Sequence, residues 1–176
     1  MKRISIAAAV IAGSALFATA AFADPVGGTT PVAHPSQDIN IGLTIDDECT
    51  IGTHDIDFGH TGLIPNDITT DTTIDIECTK GTDYAIGITN GANYSAGTRH
   101  LKHGTDDLVT YGLYSTSDFL TAWGNTAGTT VTGTGVDHAI QVPVYAKIDG
   151  HQNAPIGVYG DTVTATIWYG TEATGH

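Results

Sequence analysis

The chain has 176 residues and is acidic, with 19 Asp and Glu against 6 Lys and Arg, a formal charge of −13, and only 2 cysteines. A field of this sign repels phosphate backbones and anionic lipid headgroups, which excludes nucleic acid as a partner, while it keeps a folded protein soluble. The length suits one domain.

Met1-Lys2-Arg3 opens the chain, and an apolar run from Ile4 to Phe22, interrupted only by small residues, leads to Ala21-Phe22-Ala23 before Asp24. A basic start, a short apolar core and small residues at the cut predict a secretory signal peptide over 1–23. A membrane anchor would need about 20 uninterrupted apolar residues and no cleavage box. Loss of Lys2 and Arg3 moves the formal charge from −13 to −15. No second long apolar stretch follows, so no membrane insertion is expected after cleavage.

Residues 24–37 contain Pro25, Pro31 and Pro35 with Gly27 and Gly28, and read as a flexible leader. Over 38–47 the pattern changes to strict alternation, Asp38-Ile39-Asn40-Ile41-Gly42-Leu43-Thr44-Ile45-Asp46, which puts Ile39, Ile41, Leu43 and Ile45 on one face. It is the clearest strand signal in the sequence. Cys49 and Cys78 follow, and export to an oxidising compartment predicts a disulfide between them.

Beyond Cys49 the same grammar repeats, with short runs rich in Val, Ile, Thr and Tyr between Gly, Asn, Asp and Pro clusters. Candidate strands are 50–58, 72–79, 84–90, 108–114, 139–148 and 158–169. With 22 Gly, 1 Met and no helical period, they predict an all-β sandwich of two antiparallel sheets. The acids Asp75 and Glu77 alternate with Ile74, Ile76 and Cys78, so they form the solvated face of a strand rather than a calcium loop or a catalytic pair. Residues 124–137, rich in Gly and Thr, read as an exposed loop.

Six candidate strands follow Cys49, whereas an immunoglobulin-like sandwich needs about seven. The alternating segment at 39–45 either folds back on its own domain or completes another molecule; composition leaves both open.

The search for chemistry returns little. Of the 8 histidines, the closest pair lies in Arg99-His100-Leu101-Lys102-His103, and is read as surface loop, since a zinc site wants three or four ligands and both cysteines are expected to be oxidised. No nucleophile elbow, metalloprotease helix or phosphate loop occurs, so no enzyme, cofactor or metal is expected. Trp123 with Tyr111 or Tyr114 offers a sugar-stacking alternative, set against ordinary packing of aromatics in a small sandwich.

One ordered series is more specific: Cys49-Thr50-Ile51, Ile56-Asp57-Phe58-Gly59, Ile74-Asp75-Ile76-Glu77-Cys78-Thr79-Lys80-Gly81, Tyr84-Ala85-Ile86, Asn90-Gly91, Arg99-His100-Leu101, Tyr111-Gly112-Leu113-Tyr114, Trp123-Gly124, Val144-Tyr145-Ala146-Lys147-Ile148 and Pro155-Ile156-Gly157-Val158-Tyr159-Gly160-Asp161-Thr162-Val163. It resembles the spore coat U domain family, whose members include pilins of archaic chaperone–usher pili. The resemblance implies an incomplete immunoglobulin-like β-sandwich completed by a donor strand from another subunit. It makes Ile39, Ile41, Leu43 and Ile45 the side chains of that donor. It implies identical or related pilus subunits, a periplasmic chaperone and an outer-membrane usher as partners, and a surface pilus serving adhesion or biofilm formation. The expected layout is a signal peptide at 1–23, leader at 24–37, donor strand at 38–47, sandwich at 48–170 and tail at 171–176. A coat or matrix protein of the same fold, or a self-contained carbohydrate-binding domain, are the alternatives.

Overall fold

The structure is a computed structural model that describes residues 34–176. The expected signal peptide and residues 24–33 of the expected leader lie outside the described residues. Residues 34–42, described apart from the compact unit that begins at Leu43, form no strand or helix.

Eight strands follow: β1 (Cys49–Thr53), β2 (Ile68–Cys78), β3 (Asp83–Ile88), β4 (Arg99–His103), β5 (Asp107–Tyr114), β6 (Val131–Thr134), β7 (Ile140–Ile148) and β8 (Ala165–Tyr169), with a 3-10 turn at Gly170–Gly175. They build a five-stranded sheet in the order β1-β2-β7-β5-β4 and a three-stranded sheet in the order β6-β3-β8. All pairings are antiparallel. The all-β expectation holds.

Alternation sets the core. Ile74, Ile76 and Cys78 from β2, Val109, Tyr111 and Leu113 from β5, and Val144, Ala146 and Ile148 from β7 point inward and are buried. Tyr84, Ile86 and Ile88 from β3 meet them from the other sheet. The expected solvated face of β2 is also present, with Glu77 exposed and Asp75 half-buried. Cys49 and Cys78 face each other across β1 and β2 and form the expected disulfide.

Several expectations are corrected. The strand expected over 50–58 ends at Thr53, and that expected over 158–169 begins only at Ala165. The strand expected from Thr72 starts at Ile68, because β7 pairs with it along its whole length. The 124–137 loop contains β6, which pairs with β3 through Tyr84↔Gly133, where glycine leaves room for the Tyr84 ring. The histidine stretch is not loop but strand β4, an edge strand held by β5; short polar edge strands carry little hydrophobic signal. The tail is not loose either. Ala173 is buried, and the His176 ring stacks on Trp168 at 3.8 Å between centroids.

The disulfide closes a loop with a sequence separation of 29. Replacing both cysteines by alanine is expected to lower stability by about 3.6 kcal/mol on the chain-entropy account. Urea unfolding of the two proteins, each with and without reductant, checks this: only the parent should respond to reductant.

Candidate functional site

The site is a cleft of about 1320 Å³ at the open side of the sandwich. Its floor is core side chains from four strands: Ile74 on β2, Ile88 on β3, Val109 and Leu113 on β5, and Val144 and Ile148 on β7. Its two walls are residues 54–64 after β1 and residues 152–164 before β8; within them 54–58 and 158–164 were expected to be strand and are not.

Backbone pairing explains why the cleft is open. β1 pairs with β2 only from Cys49↔Cys78 to Thr53↔Ile74, so the edge of β2 from Ile68 to Thr73 has no strand beside it on that side. β8 pairs with β3 alone and stands at the end of its sheet. Unpaired strand edges present N–H and C=O groups ready to bond another strand.

The first wall leaves the sheet for local reasons. His54 bonds Asp75 through Nε2 at 2.8 Å, and Asp57 Oδ1 accepts the Gly59 N–H at 2.7 Å in a tight turn, with Gly59 at φ 74°. Ile56, Phe58 and Ile64 lean on the core, half-buried. Leu63 is 76% exposed.

The second wall is pinned by polar contacts. Gly160 and Lys102 exchange backbone hydrogen bonds of 2.9 and 3.1 Å, tying the wall to β4, and the Ala92 N–H donates to Thr162 O at 3.0 Å. Asp161 is the hub: Tyr111 Oη donates to its Oδ2 at 2.8 Å, and the backbone N–H and Nδ2 of Asn93 donate to its Oδ1 at 3.0 Å. Gly91 makes this possible. It has φ 90°, and a Cβ there would fall on the Asp161 carboxylate. Ile156 and Val158, on the same wall, are 100% and 87% exposed. Free apolar rims of this kind mark surfaces that another molecule covers.

Beneath the cleft, Arg99 is buried and donates through Nη2 to the carbonyls of Ile88, Thr89 and Trp123. Trp123, 1% exposed, donates from Nε1 to Ile86 O at 2.8 Å. Burial lowers the Arg99 pKa and raises that of Tyr111, where the hydrogen bond to Asp161 adds to the effect. Trp123 and Tyr111 are therefore core, as ordinary packing requires, whereas Tyr114 is half-buried outside it. His100 is buried rather than exposed as expected. His100 and His103 are three apart on a strand and so face opposite sides. His100 Nδ1 lies 3.2 Å from Asn93 O, and His103 Nδ1 lies 3.1 Å from Val158 O.

Ile39, Ile41, Leu43 and Ile45 are 86%, 94%, 86% and 72% exposed, and no strand forms over 38–46. The chain then enters β1 through three anchors: Thr79 Oγ1 donates to Asp46 O at 3.1 Å, the Thr79 N–H to Glu48 O at 2.8 Å, and Thr82 Oγ1 to Asp47 Oδ1 at 2.8 Å. These hold 46–48 at the Cys49 end of β1, whereas the first cleft wall starts from its Thr53 end.

The fold and the cleft together define a β-sandwich with two unpaired strand edges beside an apolar cleft. Residues 36–166 match the family described as Spore Coat Protein U domain, and the chain belongs to that family. Protein U of Myxococcus xanthus is 43% identical over 63 residues, which are 36% of this chain and 35% of that protein; the match thus spans about a third of that relative. Among solved structures, a chain of the CsuC–CsuE chaperone–tip adhesion subunit pre-assembly complex, from the archaic chaperone-usher Csu pili of Acinetobacter baumannii, superposes with a TM-score of 0.52 at 20% identity, over 70% of this chain and 40% of that one. The E. coli Hda pilus minor tip subunit HdaB aligns with a TM-score of 0.38 at 16% identity, over 69% and 82% of the two chains. The Csu likeness shows a shared fold.

The residues that shape the cleft were only partly readable in advance. Gly59, Gly62, Pro155 and Gly157 signal that the two walls are broken strands, but the Tyr111–Asp161–Asn93 contact joins residues too far apart in sequence to be seen there.

Tyr111→Phe leaves Asp161 short of a donor and is expected to cost about 1–3 kcal/mol. Because the folded-state pKa of Tyr111 is raised above its ordinary 10.0, its contribution is full below that pH and is lost as pH rises beyond it. Denaturant unfolding between neutral and strongly alkaline pH should show the parent losing stability above pH 10 more steeply than the variant.

Proposed function

We propose that the chain is a structural subunit of a bacterial surface pilus that polymerises by donor-strand exchange, with residues 38–47 lent to the cleft of the next copy. The observation that carries this reading is the pairing of two complementary defects in one chain: an apolar cleft with unpaired strand edges, and a strictly alternating segment whose four apolar side chains stand 72–94% exposed.

The dimensions agree. At about 3.3 Å per residue, Ile39 to Ile45 covers roughly 20 Å of strand. Burial of its four apolar side chains contributes about 6–12 kcal/mol as an upper bound, before ordering costs. Ladder bonds to a strand edge add affinity and fix the register. The anchors at 46–48 favour donation to another molecule over self-closure, since they direct the chain into β1 from the end away from the first cleft wall. Head-to-tail contacts of one kind propagate into open filaments.

A subunit with an open cleft needs protection before assembly. The partners that follow are a periplasmic chaperone, which covers the cleft, an outer-membrane usher, which releases it, and identical or related subunits. The chaperone named in the Csu pre-assembly complex supports this part of the reading. The chain then reaches the cell surface by way of the periplasm, after loss of residues 1–23, and serves adhesion or biofilm formation rather than catalysis. The family description favours one second reading, a coat protein of the same fold.

Size exclusion and negative-stain microscopy test the proposal. The chain from Asp24 should form filaments, the chain from Asp47 should not, and a peptide of residues 38–46 should restore the stability of the shorter chain. Leu43→Asp, which leaves the sandwich untouched, should also stop assembly. A full chain that stays a monodisperse monomer, and remains equally stable after truncation, sinks strand donation; disordered aggregates with coat-like insolubility favour the second reading.

A further inference from the structure

A smaller recess of about 430 Å³ lies beside β5, between the start of β4 and residues 122–126. It exists because two segments share one edge of β5. β4 pairs with that edge as far as Arg99↔Tyr111, and Ala122 and Trp123 take over at Tyr114 and Leu113. Gly112 sits at the step between them.

Three features there go unused by the strand cleft. Tyr114 folds back over Gly112 so closely that a Cβ at that position would lie 2.7 Å from its ring carbons; only glycine lets the ring lie flat on the backbone. Tyr94 stands on the rim, 45% exposed. Arg99 lines the recess and is more than nine-tenths buried, at 8% exposure. Its Nε and Nη2 donate to carbonyls, and no hydrogen bond from its Nη1 is found among the described residues.

The rest of the lining selects the ligand. Asn90 and Asn125 offer amides, and the only other charged side chain, Asp149, is held by Lys147 at 2.8 Å. A net charge of −13 disfavours a polyanion. Aromatic faces, amides and one buried donor in a recess within the size range of small-molecule sites suit a ring with an apolar face and many hydroxyls.

We propose that this recess binds a neutral pyranose sugar, with the ring face against Tyr114, a hydroxyl accepting from Arg99 Nη1, and Asn90 and Asn125 bonding the remaining hydroxyls. The recess shares Tyr111 and Leu113 with the strand cleft, but Asn90, Tyr94, Arg99, Tyr114 and Asn125 line the recess alone, so the proposal does not depend on how the chain assembles. It also differs from stacking on Trp123 or Tyr111, which the core has consumed.

Saturation-transfer NMR on the full chain, which tolerates filaments as well as monomers, tests it with methyl glycosides of glucose, galactose, mannose and N-acetylglucosamine. At least one should show saturable transfer to its ring protons. Tyr114→Ala and Tyr94→Ala, each verified as folded by circular dichroism, should weaken that binding by about tenfold or more, and Ile156→Ser at the strand cleft should leave it unchanged. No transfer from any of the four sugars overturns the proposal, as does transfer that both tyrosine variants retain, or binding restricted to acidic sugars.

Discussion

The structure turns on where β1 stops. Its ladder with β2 ends at Thr53↔Ile74, and from that point the five-stranded sheet has a bare edge at Ile68–Thr73 facing the equally bare edge of β8. Between these edges the sandwich leaves an apolar cleft floored by core side chains. The cleft and the exposed rims at Leu63, Ile156 and Val158 adjoin this one interruption.

An open core is prone to collapse, and the polar network beneath it resists that. Arg99 binds three carbonyls from two segments, Trp123 is hooked to Ile86, and Asp161 is held by Tyr111 and Asn93. Each ties a cleft wall or the floor to a strand through buried or part-buried hydrogen bonds. The cleft is thereby shaped before anything enters it, which lowers the ordering cost of filling it. The strong negative charge makes copies repel one another at long range.

Much of the fold was legible. Period-two alternation around Ile74–Cys78 identified an inward face, the runs at 108–114 and 139–148 were read as strands, and two cysteines behind an expected signal peptide pointed to the disulfide. β4 and β6 were missed because short edge strands need only one neighbour and carry polar or Gly-rich sequence. The two cleft walls were read as strands because Ile56, Phe58, Val158 and Val163 carry strand-like side chains. The strand signal was sound as propensity but had no backbone partner to satisfy, and propensity without a ladder leaves extended chain. The same reasoning covers residues 38–46, the most regular alternation in the sequence and yet no strand in the single chain.

The sequence by itself determined the class of the protein: an acidic, all-β domain with one disulfide, preceded by an alternating segment with four apolar residues on one face. Those properties reside in composition and local periodicity, which need no partner to be read. Only the tertiary structure decided that β1 ends at Thr53, that Tyr111, Asp161 and Asn93 meet, that Trp123 is core while Tyr114 is not, and that Arg99 is buried against the carbonyls of Ile88, Thr89 and Trp123. These depend on contacts between residues tens of positions apart, where pairing register and close packing, rather than local preference, select the outcome.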